Sequence, residues 1–335
     1  MIDHMLDRFA SFIDAHQRFL LTTHENPDGD GIGASIGLAA YLRLLGKEAR
    51  MVVTPSIPEN LRWLDETGLA EPYEPEGRHK DLAAWPDVWL VTDASEPHRL
   101  GPMHAAFEST KAVRACLDHH LKDAPKGFDQ EFTDPSASAS AELVFDLVAP
   151  RMAKPWPGPM VRALYTGMVA DTGNFRFSNA TPKLHRAAAE LIEAGAEPAR
   201  TFQGLYHTDT PQKVKLWGRA MEGLKLVEKD RVALVTVSLA DLEACGANHE
   251  DLDELVQQPM RLKGVEVSAL LYEAVDGRIK ISLRSRERVD VNAVCKLFGG
   301  GGHRLASGAK LPGPLPEALK TLQSALCDQV RKDLA

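Results

Sequence analysis

Short apolar runs alternate with helix-period patterns through the first half of the chain, the arrangement that builds βαβ units and a parallel sheet. The run at 18–23 (Arg-Phe-Leu-Leu-Thr-Thr) predicts a strand. A Gly-rich turn follows, then a helix from about 33 to 45 that Gly46 closes as its C′ residue. Further strands are predicted at 49–54, 87–92 and 112–117, and helices at about 138–149 and 159–170. From about 183 to 225 the pattern is helical and reads as a connector between domains. Beyond it the character changes. Strands are predicted at 231–238 and 265–272, with an Asp276-Gly277 hairpin signal and a returning strand at 278–284. A Gly-rich loop at 299–302 and a final helix at about 315–332 complete the chain. The pattern contains no internal repeat and no low-complexity tract.

Composition narrows the class. A chain of 335 residues exceeds one ordinary core, so two domains are expected. With 44% hydrophobic and 26% charged residues, disorder and fibrous repeats are excluded. No apolar run reaches the length of a bilayer span. The first residues, Met1 to Asp7, carry acids where a secretion signal needs a basic region. Cys116, Cys245, Cys295 and Cys327 lie far apart with no Cys-x-x-Cys pair, which fits reduced thiols; a cytoplasmic protein is expected. Residues 1–190 hold 19 Lys/Arg against 27 Asp/Glu, and residues 191–335 hold 20 against 20, so the whole charge of −8 belongs to the first half. Such an acidic half disfavours stable binding of long duplex DNA, which needs many basic phosphate contacts, and suits a site that gathers divalent cations.

The acids and histidines of that half fall at the ends of the predicted strands. His24, with Asp28 and Asp30 close behind, follows the first; Asp93 follows the strand at 87–92; Asp118-His119-His120 closes the strand at 112–117. In an open α/β sheet the ligand crevice lies at the carboxyl ends of the strands, so three strands deliver metal-type ligands to one edge. Asp171, after an apolar helix, supplies another. Singly, each feature has a plain reading: a strand-end Asp caps the next helix, and Pro-Asp-Gly-Asp-Gly is an ordinary turn. Their coincidence at four places is the signal. Mixed imidazole and carboxylate ligands favour Mn²⁺ over Mg²⁺, and the number of ligands suits two ions. Two ions about 3.5–4 Å apart, bridged by a carboxylate and a hydroxide, are a standard device for phosphoester hydrolysis.

His24-Glu-Asn-Pro-Asp-Gly-Asp30, Asp93, Asp118-His119-His120 and Asp171 resemble the four motifs of the DHH phosphoesterases. Gly299-Gly-Gly-Gly-His303 resembles the signature of their DHH-associated C-terminal domain. The resemblance covers nearly the whole chain and most resembles the stand-alone oligoribonuclease and pAp phosphatase branch. It implies an α/β protein: an N-terminal parallel-sheet (Rossmann-like) DHH catalytic domain at 1–185, a helical connector at 186–225, and a smaller DHH-associated α/β domain with mixed sheet at 226–335, with the active site in the cleft between the domains. It also implies roles. His24, Asp28 and Asp93 hold one Mn²⁺; Asp30, Asp93, His119 and Asp171 hold the other; Mg²⁺ or Co²⁺ are the substitutes. Asp93 bridges, Asp118 orients the histidine pair, and His119, His120 and Asp93 form the catalytic set, with His120 facing the scissile phosphate. A homodimer is a further implication.

The second half carries the substrate-binding candidates. Arg284, at a predicted strand end, presents a guanidinium suited to bidentate phosphate recognition. Arg278, Lys280, Arg286 and Arg288 crowd near it, and the plain reading for these is a solvated strand face. Gly301, Gly302 and His303 belong to a run of four glycines that lets backbone N–H groups approach phosphate closely. No Walker A or dinucleotide motif is present. Ser136-Ala-Ser-Ala-Ser140, before a helix, is read as capping ahead of phosphate binding. The expected reaction is hydrolysis of very short RNA to nucleoside monophosphates, with pAp and linear dinucleotides as further substrates. Pyrophosphate or polyphosphate hydrolysis and non-catalytic nucleotide binding are the alternatives.

Overall fold

A computed structural model describes residues 2–120 and 127–335. The chain divides into two compact units, Met1–Thr208 and Asp209–Ala335.

The first unit runs α1 (Ile2–Asp14), β1 (Arg18–Thr22), α2 (Gly29–Leu44), β2 (Glu48–Val53), β3 (Ala70–Pro72), β4 (Val88–Thr92) and α3 (His104–Ser109). It continues with β5 (Val113–Asp118), β6 (Gln130–Thr133), α4 (Ser140–Val148), α5 (Gly158–Asp171), α6 (Pro182–Glu193) and α7 (Pro198–Tyr206). Its six strands are ordered β3-β2-β1-β4-β5-β6 and every ladder is parallel. The central strands are apolar without alternation because both faces are covered. Phe19, Leu21, Leu90 and Leu117 join the core formed with α2, α4 and α5, while Leu20, Trp89, Val91 and Cys116 pack on the opposite face with Leu100, Met103 and Phe107.

One expectation is corrected here. The Gly-rich segment is not a turn before the second helix but its first two turns: α2 begins at Gly29, capped by the Asp28 carboxylate, which accepts from the amides of Asp30 and Gly31. The glycines serve helix–helix contact. A Cβ on Gly33 would lie 2.4 Å from the Ala163 carbonyl oxygen of α5, so only glycine lets the two helices approach this closely. That contact brings the start of α2 beside the end of α5.

The second unit comprises α8 (Pro211–Glu222), β7 (Lys225–Val227), β8 (Val232–Val237), α9 (Leu239–Cys245), β9 (Val267–Glu273) and β10 (Ile279–Ser285). Then come α10 (Val291–Leu297), β11 (Gly301–His303), β12 (Ala306–Leu311) and α11 (Leu315–Asp333). Its sheet, ordered β11-β12-β10-β9-β8-β7, is mixed: β8 and β9 pair in parallel and the other ladders are antiparallel. The helical stretch at 183–225 resolves into α6 and α7 on the first unit and α8 on the second. The end of the predicted glycine loop is strand: β11 pairs with β12 through Gly301, Gly302 and His303. Among the described residues no helix is long and apolar enough to cross a membrane.

Candidate active site

The parallel ladders place the carboxyl ends of β1, β4 and β5 side by side, and the predicted ligands gather there. His24 follows β1, Asp93 follows β4, and Asp118 is the last residue of β5 with His119 and His120 directly after it. Asp28 and Asp30 stand at the start of α2, and Asp171 ends α5. His24 Nε2 lies 3.6 Å from Asp28 Oδ2 and 3.7 Å from Asp93 Oδ2. His119 Nε2 lies 3.8 Å from Asp30 Oδ2, 3.6 Å from Asp93 Oδ1 and 3.6 Å from Asp171 Oδ2. Asp93 therefore turns one carboxylate oxygen to each histidine. His24, Asp28 and Asp93 form one group able to hold an ion, Asp30, His119 and Asp171 form another, and Asp93, Asp118, His119 and His120 form a third.

The donor chemistry fits metal ions. His24 Nδ1 donates to the Glu25 carbonyl (2.9 Å) and His119 Nδ1 to the Ala137 carbonyl (3.3 Å), which leaves each Nε2 directed at carboxylates. Both Nε2 atoms are buried without a hydrogen-bond partner. A ring held by its other nitrogen on a backbone carbonyl is the usual arrangement of a metal-ligating histidine. Buried carboxylates in such numbers also need a counter-charge. Desolvation and the neighbouring Asp93 and Asp171 hold the Asp30 carboxyl well above its ordinary range. Burial pushes Asp171 up to about 6, against the attraction of His119. His24 moves the other way: burial opposes its charge, yet its contacts with Asp28 and Asp93 outweigh that and raise it to about 10, while the same pairing lowers Asp28 to about 2 against its own burial.

Asp118, a member of the third group, is fully buried and has both carboxylate oxygens engaged by its neighbours. Its Oδ1 accepts from the His120 amide (3.1 Å) and from His120 Nδ1 (2.8 Å), and its Oδ2 accepts from Ser95 Oγ. A carboxylate can only accept, so the proton on His120 sits on Nδ1 and the half-exposed ring presents Nε2 outward. Hydrogen bonding to Asp118 raises the His120 pKa despite partial burial.

Three supports complete the site, of which Asn179 and Ser95 had no signal in the sequence and Ser140 lay in the run read as capping. Ser140 Oγ donates to Asp93 Oδ1 (3.1 Å), and the amides of Ser140 and Ala141 donate to the two Asp30 oxygens at 2.6 and 2.9 Å. The N-terminal amides of α4 thus serve Asp30, and the Ser136–Ser140 run acts through them on the acid cluster. Asn179 Nδ2 lies 3.3 Å from Asp171 Oδ2 and 3.1 Å from the Ser138 carbonyl. Ser95 is the third. His98, close in sequence, is exposed and pairs with Glu96.

Within the second unit, cross-strand register aligns Ser268, Arg284, Ala306 and His303 in one row on one sheet face. The Arg284 guanidinium donates to the Leu283 carbonyl (2.9 Å), and its burial lowers its pKa with no acid opposing the shift. Ser268 Oγ is buried without a partner. Two alternate residues along β10, Lys280 faces Lys310 on one side and Tyr272 on the other. A pocket of about 630 Å³ opens beside these three, with Ser282, Gly299, Gly300 and Gly308 in its wall. The other basic residues are committed locally: Arg278 to Asp276, Arg288 to Glu266, and Arg286 to the Met260 carbonyl.

Residues 18–168 match the DHH family, N-terminal domain, and residues 232–332 the DHHA1 domain. Over 315 residues the chain is 33% identical to the bifunctional oligoribonuclease and PAP phosphatase NrnA of Thermus thermophilus, covering 93% of this chain and 90% of that one. The chain belongs to the DHH family. Within it, this DHH protein is NrnA-like, and it is a hydrolase of the phosphoesterase class. Its backbone matches that of an exopolyphosphatase-related protein from Bacteroides fragilis with a TM-score of 0.88 and 26% identity, covering 97% of this chain and 96% of that one. RecJ of Thermus thermophilus, solved in complex with Mn²⁺, shares the fold at 13% identity with a TM-score of 0.56, covering 98% of this chain and 55% of that one.

Proposed function

We propose that this DHH protein is a two-metal, Mn²⁺-dependent phosphoesterase that hydrolyses very short oligoribonucleotides to nucleoside monophosphates and pAp to AMP, with linear dinucleotides as further substrates. The observation that carries the reading is the pair of buried, unpartnered imidazole nitrogens on His24 and His119, each facing carboxylates and both facing Asp93. On this reading His24, Asp28 and Asp93 hold one ion, Asp30, Asp93, His119 and Asp171 hold the other, and Asp93 bridges. Ions bound there lower the pKa of a water and offset charge on the phosphoryl oxygens. The relatives named for oligoribonuclease and PAP phosphatase activity and the RecJ structure with Mn²⁺ support the choice of substrate and ion.

The residues of the chain have separate tasks. Asp118 keeps a proton on His120 Nδ1, so that a charged His120 offers its Nε2–H to a phosphate oxygen or to the leaving oxygen. In the second unit, Arg284, Gly301, Gly302 and His303 are assigned to substrate phosphate. Arg284 is half-buried with no acid beside it, so its charge is uncompensated and suited to an anion, although one of its nitrogens already donates to the Leu283 carbonyl. The basic surface in its row is short, which favours short chains over long polymers.

The test is turnover of a 5′-labelled RNA ladder from two to about twenty-four nucleotides, with pAp and pyrophosphate alongside, in Mn²⁺, in Mg²⁺ and in EDTA. Mn²⁺-dependent release of monophosphates, fastest on the shortest chains, is expected. Hydrolysis of pyrophosphate in preference to RNA and pAp contradicts the substrate assignment, and turnover that survives EDTA contradicts the metal centre.

A further inference from the structure

One segment touches three members of the acid–histidine cluster and reaches a fourth through Asn179. Across residues 137–141, the Ala137 carbonyl accepts from His119 Nδ1, the Ser140 amide and hydroxyl donate to Asp30 and Asp93, and the Ala141 amide donates to Asp30. The Ser138 carbonyl accepts from Asn179, which also donates to the Asp171 carboxylate. His119, Asp30, Asp93 and Asp171 therefore share this loop as their common support, although they come from four separate parts of the chain.

Two residues hold the loop in turn. Glu142, in the first turn of α4, is 1% exposed; its Oε2 accepts from the Ser138 amide at 2.7 Å, and Lys183 of α6 approaches its Oε1 at 3.5 Å. Lys183 also pairs with Asp146 one turn further along α4 at 2.5 Å. A capping-box glutamate reaches back to the N-cap amide, whereas Glu142 reaches the Ser138 amide one residue before the Ala139 N-cap and also meets a cation from another helix. A carboxylate buried this deeply is costly unless its donors are fixed, and here those donors are the loop and α6. Asn179, just before α6, closes the other side by joining the loop to Asp171.

We propose that Glu142 and Asn179 are positioning residues that clamp the 137–141 loop and thereby set the geometry of the metal ligands. The proposal rests on the metal-centre reading above. It predicts that loosening either residue costs metal affinity even though neither faces an ion.

The experiment is calorimetric titration of the metal-stripped full-length protein with Mn²⁺, paired with thermal melting in the absence of metal. Glu142→Ala and Asn179→Ala are expected to weaken Mn²⁺ binding by about 10–100-fold, the usual effect of removing support from metal ligands. Glu142→Gln keeps an oxygen for the Ser138 amide and should bind Mn²⁺ close to wild type. Alanine variants that melt earlier yet bind Mn²⁺ as wild type does would make the two residues merely structural and overturn the proposal. Should Glu142→Ala lack a cooperative melt, the half-buried Asn179→Ala decides the matter alone. A wild-type protein that takes up no Mn²⁺ overturns the metal reading itself, and the clamp with it.

Discussion

Asp93 has φ near +60°, a left-handed conformation that a residue with a side chain seldom adopts. Its amide is anchored on the Leu117 carbonyl of the neighbouring strand (2.9 Å), and the turn so fixed sends one carboxylate oxygen toward His24 and the other toward His119. Strain of this kind persists where the surroundings over-determine it, and it is concentrated at functional sites. The same residues impose a pH dependence on metal uptake. His24, raised to about 10, is an imidazolium in the ion-free site at neutral pH, and Asp171 titrates near 6. A metal ligand must be the neutral imidazole and the ionised carboxylate, so binding expels protons and strengthens as pH rises. Between about pH 6.5 and 8.5, Mn²⁺ affinity should increase roughly tenfold per pH unit, one proton leaving His24 for each ion bound beside it. Calorimetry in buffers of different ionisation enthalpy would count that proton; an affinity independent of pH would show that His24 is not displaced.

At the scale of elements, the contact between α2 and α5 decides where two of the acids meet. Asp30 lies in the first turn of α2 and Asp171 in the last residue of α5, and Gly33 lets those helices close up. Gly33→Val should cost about 1–3 kcal/mol by overpacking, read from denaturant unfolding, and should weaken Mn²⁺ binding as well. Unchanged stability would mean that the helices have room to spare. The strands that deliver the ligands were legible because they are apolar on both faces, and their polar ends stand out against that background. The glycines of α2 were not, since a turn and a tight helix contact use the same residue. The polar edge strand β6 buries Phe132 alone among its four residues, and β12 carries small residues in place of β-branched ones. The contacts of Asn179 with Asp171 and Ser138 and of Glu142 with Lys183 join separate parts of the chain, which no local pattern encodes. The Ser136–Ser140 run was visible, but its use by Asp30 depends on the tertiary approach of α2 to α4.

For the molecule as a whole, the proposed function divides chemistry and recognition between the units. The first carries the whole net negative charge through residue 190 and the acid–histidine cluster; the second presents Arg284, Lys280 and Lys310 on one sheet face. Lys280 and Lys310 sit directly opposite one another, an arrangement that destabilises a sheet unless an anion compensates it. Arg284→Ala should raise KM for short RNA by about 10–100-fold, as expected for a lost charge-assisted hydrogen bond, with a smaller effect on kcat. A fall in kcat at unchanged KM would move Arg284 from binding to the chemical step.

On the proposed reading the site holds two ions with Asp93 shared between them, and the most direct measurement is electron paramagnetic resonance of the metal-stripped protein titrated with Mn²⁺. Uptake of two equivalents per chain is expected, with the second producing a spin-coupled signal that Asp93→Ala abolishes. Saturation at a single, uncoupled Mn²⁺, or a coupled pair that survives Asp93→Ala, would contradict it.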